Sequence, residues 1–142
     1  MTMRASVKWL DGVAFVGESG SGHAMVIDGA AEAGGRNIGL RPLEAMLIGL
    51  GACSAFDVVT ILRKSRETIG DCRVEIEAER ADSIPAVFTR IHLVFIVSGR
   101  DIRAAAVERA VELSASKYCS ATQMLRGSVE ISHEYRIEDD SR

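Results

Sequence analysis

The chain has 142 residues, 47% hydrophobic and 26% charged, with a net charge of −3 and a pI near 5.6. That length supports one domain with its own core, expected to span 1–142. The acidic balance, with Lys and Arg scattered, excludes the basic footprint of a nucleic-acid binder. Met1 to Lys8 lacks the apolar region of a signal peptide, and three cysteines are too few for a secreted disulfide framework, so a cytoplasmic protein with reduced thiols is expected.

Ala5 to Glu18 reads as strand, broken at Asp11-Gly12, a hairpin-type turn signal. Gly17 to Gly22 reads as a loop and His23 to Asp28 as a short apolar strand. Gly29 to Leu40 carries four glycines and reads as a loop. Pro42 then opens a long helix, because a missing N–H costs nothing in the first turn. The helix is expected to reach about Arg66, with Gly70 ending the segment. Its apolar residues, from Met46 and Leu47 to Ile61 and Leu62, cover nearly the whole circumference. A helix apolar all round is buried all round, here by a sheet on one side and a second subunit on another. Ala45 to Leu62 is interrupted by Asp57, which makes it a buried core helix rather than a membrane span.

Cys72, Val74, Ile76 and Ala78 alternate with Arg73, Glu75, Glu77 and Glu79, the pattern of a half-exposed antiparallel strand. Ala81 to Pro85 is a turn. Phe88 to Ser98 contains the apolar run Leu93 to Val97 and is expected to be central. Asp101 is expected to cap a helix to about Leu113, with Ile102, Ala106, Ala110 and Leu113 on one face. Ser116 is expected to N-cap a further helix to Arg126, stopped by Gly127. Val129, Ile131, His133, Tyr135 and Ile137 alternate in a last strand, and the tail Glu138 to Arg142 is expected to fray. Strands grouped at the ends around helices give an α+β fold.

Cys53 and Cys119 lie 66 positions apart. If they meet, they form a dithiol able to cycle with a disulfide. With Ser116 as N-cap, Cys119 is the third helical residue, where the helix dipole and Lys117 both lower a thiol pKa; the competing reading is a small core residue. Cys53 is mid-helix with Asp57 one turn on, on the same face. An unpaired carboxylate there raises its pKa, so activation requires an arginine from elsewhere, and the competing reading is a structural cysteine. Cys72 reads as core. His23, His92 and His133 have no partner at metal-ligand spacing, so no metal is expected. Gly17 to Gly22 lacks the Gly-Lys-Ser/Thr ending of a phosphate loop. Ser54 sits in no Gly-x-Ser-x-Gly elbow and has no evident partner base.

The run from Gly39-Leu40-Arg41-Pro42-Leu43-Glu44 through Gly51-Ala52-Cys53-Ser54 to Val59, followed by Lys117-Tyr118-Cys119-Ser120, resembles the OsmC/Ohr family. The resemblance is closest to its YhfA-like branch, which is also similar in Val7-Lys8-Trp9, in Phe15-Val16-Gly17-Glu18-Ser19 and in Val87-Phe88-Thr89. It covers essentially the whole chain. It implies an OsmC-like α+β fold, with antiparallel sheets packed around a long buried central helix in an intertwined homodimer. It also implies a thiol-dependent peroxidase that reduces organic hydroperoxides, in defence against oxidative stress. On this reading Cys53 is the peroxidatic thiol, oxidised to a sulfenic acid, and Cys119 is the resolving thiol. A dithiol reductant restores the pair, and no cofactor, metal, nucleic acid or membrane is required.

The family pairs an arginine and a glutamate to activate the cysteine. Arg36 is the nearest match, with Arg41 the alternative. The family's glutamate falls ten positions before the cysteine, where this chain has Leu43, and the acid here is Glu44. Nine residues of straight helix turn through about 900° and rise about 14 Å, so Glu44 reaches a Cys53 site only through a break near Gly49 and Gly51 or by serving a partner subunit. That displacement favours an alternative on the same fold: a redox-sensing or small-apolar-ligand-binding protein whose Cys53 is modified without turnover.

Overall fold

The computed structural model describes residues 1–139, so Asp140 to Arg142, part of the tail expected to fray, lie outside the described residues. The chain forms two compact units, Met1–Ile48 and the remainder from Gly49.

In the first unit β1 (Ala5–Asp11), β2 (Ala14–Ser19) and β3 (Ala24–Ile27) form an antiparallel meander. Asp11 pairs with Ala14, leaving Gly12-Val13 as a two-residue loop. Gly12 has φ 54°, which a glycine adopts without steric cost. The expected loop at Gly17 to Gly22 is shorter, because Gly17 pairs with Val7 on one side and Met25 on the other, carrying β2 to Ser19. The segment from Gly29 to Leu40 contains a single 3₁₀ turn, Ala31–Ala33. It is tied down by Asp28, which is 1% exposed. The Asp28 carboxylate accepts N–H bonds from Gly29 at 2.7 Å, Arg36 at 3.0 Å and Ile38 at 3.3 Å. The Arg36 N–H is the main cause that holds this carboxyl below its usual pKa, against the opposing effect of burial.

Helix α1 (Pro42–Lys64) is continuous, without a break at Gly49 or Gly51. Its start is a capping arrangement: the Arg41 N–H donates to the Glu44 carboxylate at 2.8 Å. It ends earlier than expected. Arg66 takes a left-handed φ of 63°, while Glu67 N–H reaches back to the Leu62 carbonyl and Arg66 N–H to Arg63. This is a Schellman-type stop with an arginine where glycine is usual. Gly70 lies instead inside β4 (Thr68–Arg80), at a register shift between Ile69 and Asp71. By length and composition alone α1 could cross a bilayer. Leu50, Gly51, Ser54, Val58 and Leu62 form its buried stripe, whereas Met46, Ile48 and Phe56 are exposed, so a single chain buries one face of α1 and not its whole circumference.

The second unit is built on a three-stranded sheet, β4, β5 (Phe88–Arg100) and β6 (Glu130–Asp139), with β5 central as expected. Cys72, Val74, Ile76 and Ala78 pair with Val97, Phe95, Leu93 and Ile91, which pair in turn with Ile137, Tyr135, His133 and Ile131. One face is therefore apolar but for His133. The other carries Glu77 beside His92 and Ser132, and Glu79 beside Arg90 and Glu130. One pairing departs from an all-antiparallel arrangement: β6 runs parallel to β5. The connection from Asp101 to Val129 is a crossover of the length a parallel pair needs. It carries α2 (Ala104–Leu113), a π-helical turn (Ser114–Tyr118) and α3 (Ser120–Leu125). Arg103, not Asp101, is the N-cap of α2; Asp101 has a left-handed φ of 52° and lies before it. α2 buries Val107, Ala110 and Val111.

Candidate active site

Cys53 and Cys119 lie close enough for each thiol to shift the other's proton affinity, and neither cysteine is in a disulfide. The two elements that bring them together are α1, which carries Cys53 on the flank of its buried stripe, and the crossover between β5 and β6. Gly51 has a packing role in this placement. A Cβ there would lie 2.7 Å from Cδ1 of Ile76 on β4, so the glycine lets α1 approach the sheet two residues before the cysteine.

Ser116 does not cap a helix. Its hydroxyl donates back to the Glu112 carbonyl at 2.8 Å, and the chain continues from α2 into the π-helical turn. Cys119 is itself the N-cap residue of α3, with φ −72° and ψ 106°, and its sulfur accepts from the Thr122 N–H at 3.4 Å. π-helical turns recur at functional positions because the extra residue re-aims the side chains that follow. Here the turn closes with the Cys119 N–H on the Ser114 carbonyl at 2.9 Å. Lys117 does not point at the thiol; its ammonium lies over the Tyr118 ring, 5.2 Å from the centroid.

The two thiols differ in access and in proton affinity. Cys119 is fully buried at 0% exposure, whereas Cys53 is half-buried. Burial pushes the Cys119 thiol up. Hydrogen bonds from the Ser54 hydroxyl, from the side chain and N–H of Thr122 and from Cys53 outweigh it and bring it below the ordinary thiol value. Burial likewise raises Cys53, and the neighbouring Cys119 sulfur raises it further, against opposing N–H contacts from Ala121 and Ser120. The two opposite directions make Cys119 the more readily deprotonated sulfur of the pair. The Asp57 carboxylate, one turn on from Cys53, accepts from the Ser114 hydroxyl at 3.1 Å.

Ser54 is the residue whose role the sequence did not disclose. It is 2% exposed, and its hydroxyl lies 3.2 Å from the Cys119 sulfur. Its own carbonyl accepts from the Ser114 hydroxyl at 3.3 Å. A cavity of about 250 Å³ lies alongside, lined by Ser54, Ser114, Thr122, Arg126 and His133 among others.

The other expected site residues belong to the first unit, where each has a local partner. The Arg36 guanidinium pairs with Asp11. The Arg41 guanidinium donates to the Asn37 side chain at 2.9 Å, and Glu44 caps α1. Cys72 is half-buried on β4, raised by burial and then by Asp71. Among the described residues no group of His, Cys, Asp or Glu forms a three-ligand metal cluster.

Comparison with known proteins places this geometry in a family. The chain is 48% identical over 138 residues to Protein YhfA of Escherichia coli, covering 95% of this chain and 98% of that one. A hypothetical protein from Aquifex aeolicus is 26% identical with a TM-score of 0.82, covering 97% of this chain and 98% of the other. The organic hydroperoxide resistance protein OhrB of Bacillus subtilis shares the fold, with a TM-score of 0.65 at 18% identity over 96% of this chain and 98% of its own. The sequence model described as OsmC-like protein matches residues 34–134, so the chain belongs to the OsmC-like protein family.

Proposed function

We propose that this protein is a thiol-dependent peroxidase that reduces organic hydroperoxides, acting as a cytoplasmic homodimer in oxidative-stress defence. Cys53 is the peroxidatic thiol and Cys119 the resolving thiol. The observation that carries the reading is the pairing of a partly exposed reduced thiol with a buried one, whose sulfur accepts the Thr122 N–H and lies 3.2 Å from the Ser54 hydroxyl. The organic hydroperoxide resistance function in the name of the Bacillus subtilis relative supports the choice of substrate.

The chemistry balances on this pair. Cys53 gives its proton to water, and its sulfur attacks the outer peroxide oxygen. The O–O bond breaks, Cys53 becomes a sulfenic acid, and the alkoxide leaves and takes a proton from water. Cys119 then attacks the Cys53 sulfur. Its proton goes to the departing hydroxide, water is released and the disulfide forms. A dithiol reductant closes the cycle by thiol–disulfide exchange and is itself oxidised. Arg36 is carried over as the activating arginine, and Glu44, one residue past the family's glutamate position on an unbroken α1, as an acid that serves the partner subunit's site. No cofactor enters any step.

Glu44 as a helix cap favours a second reading, a redox-sensing or apolar-ligand-binding protein in which Cys53 is oxidised without turnover. Titration of the reduced protein with an organic hydroperoxide and with hydrogen peroxide decides between them, with thiols followed by mass spectrometry. Rapid loss of two thiols into a Cys53–Cys119 disulfide, faster with the organic substrate and repeated on adding a dithiol, is expected. Cys53 remaining reduced under excess peroxide would overturn the peroxidase reading.

A further inference from the structure

Two consecutive side chains of α1 grip one sulfur. Cys53 and Ser54 both adjoin the Cys119 thiol, and only one of them is consumed by the chemistry. Oxidation replaces the Cys53 S–H by S–O–H. The Ser54 contact is unaltered by that step, because a hydroxyl is not oxidised by a peroxide under these conditions.

We propose that Ser54 is a positioning residue for the resolving half of the cycle, holding the Cys119 sulfur in place through the 3.2 Å contact of its hydroxyl. This rests on the peroxidase reading given above. The direction of the hydrogen bond follows from its surroundings. The Thr122 N–H also donates to the Cys119 sulfur, and once that sulfur is a thiolate it has no proton to give, so the Ser54 O–H is then the donor. The same sulfur is brought below its ordinary proton affinity by these donors, in the order Ser54 and then Thr122 after the opposing effect of burial.

Ser54 is itself fixed. Its backbone carbonyl takes the Ser114 hydroxyl, and the Ser114 carbonyl takes the Cys119 N–H. A closed loop of contacts therefore runs from Ser54 to Ser114 to Cys119 and back. It joins α1 to the π-helical turn and sets the height of Cys119 against Cys53. The resolving step is nucleophilic attack by the Cys119 sulfur on the Cys53 sulfenic sulfur. The S–O bond breaks and the oxygen leaves as water with the Cys119 proton. Cys119 is oxidised and Cys53 reduced by one level each, so the step needs no further reactant. A hydrogen bond to the attacking sulfur favours it by raising the thiolate fraction.

The test is Ser54→Ala, which keeps α1 because alanine is the best helix former, with Ser54→Thr as the variant that restores a hydroxyl. The Cys119 thiolate is titrated by ultraviolet absorbance in a Cys53→Ser background. The Cys53 sulfenic acid is trapped with dimedone in the variants that retain both cysteines. A hydrogen bond to a charged sulfur predicts that Ser54→Ala raises the Cys119 midpoint by about one unit and slows disulfide formation about tenfold, so that sulfenic acid accumulates, and that Ser54→Thr reverses both changes. An unchanged midpoint and an unchanged resolution rate in Ser54→Ala would overturn the role of Ser54 while leaving the peroxidase reading intact. If wild-type Cys53 never reacts with peroxide, that reading fails. The titration then still decides whether Ser54 holds the Cys119 charge, and an unmoved midpoint removes the inference too.

Discussion

Replacing Gly51 with alanine sets two effects of similar size against each other, and the structure names the atom that decides between them. Alanine in a helix interior gains about 1 kcal/mol over glycine. The new methyl would lie 2.7 Å from Cδ1 of Ile76, while the next atom, Cγ1, is at an ordinary 3.7 Å. Overpacking of this kind costs about 1–3 kcal/mol. Gly51→Ala alone should therefore destabilise the protein by about 1 kcal/mol. Ile76→Val removes Cδ1 and leaves Cγ1. Ile76 is half-buried, so this change alone should cost about 0.7 kcal/mol. With the obstruction gone, the double variant keeps the helix gain and loses only the methyl, ending about 0.3 kcal/mol above wild type. Its coupling is then about 2 kcal/mol, far above the ~0.5 kcal/mol expected of independent sites. Urea midpoints of the four proteins at one fixed protein concentration measure this, since association contributes to apparent stability. Additive effects would refute the claim that Gly51 is required by the approach of α1 to β4.

Four further outcomes are expected. Leu62→Ala, at a side chain with no exposure, should cost about 3 kcal/mol in denaturant unfolding, and a loss below ~1 kcal/mol would mean that the α1 stripe is not packed as described. Asp28→Asn should lower the unfolding midpoint at neutral pH. Because the folded carboxyl is depressed, its contribution is complete above the unfolded value of about 3.9 and is lost as pH falls through the folded one, so the two proteins should converge in acid; a gap independent of pH would argue against the carboxylate as the loop's anchor. Cys119→Ser should react once with peroxide and stop at a Cys53 sulfenic acid, reducing steady-state peroxide consumption at least tenfold, whereas full turnover would show that Cys119 is not the resolving thiol. Phe56→Glu, at an apolar side chain 71% exposed on α1, should shift the sedimentation of the proposed homodimer toward a monomer; an unaltered dimer would place the subunit contact elsewhere.

Much of the fold is legible in the periodicity of the sequence. The alternation of Cys72 to Glu79 and of Val129 to Ile137, and the apolar run in β5, mark a sheet with one wet face, and the register confirms which residues share it. Strand direction is not encoded in such a pattern, so the parallel pairing of β5 with β6 appears only in three dimensions. Capping signals misled twice. Asp101 and Ser116 are good N-cap residues by type, but the chain at Asp101 turns through a left-handed conformation, and the Ser116 hydroxyl is already engaged with Glu112 inside a π-helical turn that has no composition of its own. Gly70 was a reasonable stop for α1, yet Arg66 takes that role because its backbone bonds, not its side chain, close the helix. Both cysteines were evident from their settings. Their meeting and the hold of Ser54 on the inner sulfur depend on contacts between residues 65 or more positions apart, which no local pattern carries.

The parallel crossover also has a consequence for the newly made protein. Cys53 leaves the ribosome early, while Cys119 belongs to a connection that is pinned only when β6 has emerged and docked beside β5. Long-range parallel pairing forms slowly because loop closure must precede its contacts. On the proposed reading, Cys53 has no Cys119 in place during that interval to resolve a sulfenic acid, and an oxidant would drive it toward disulfides with Cys72 or with other molecules, or toward irreversible acids. Synthesis under peroxide stress should therefore yield a fraction of chains damaged at Cys53 that the mature protein, once folded, would not accumulate.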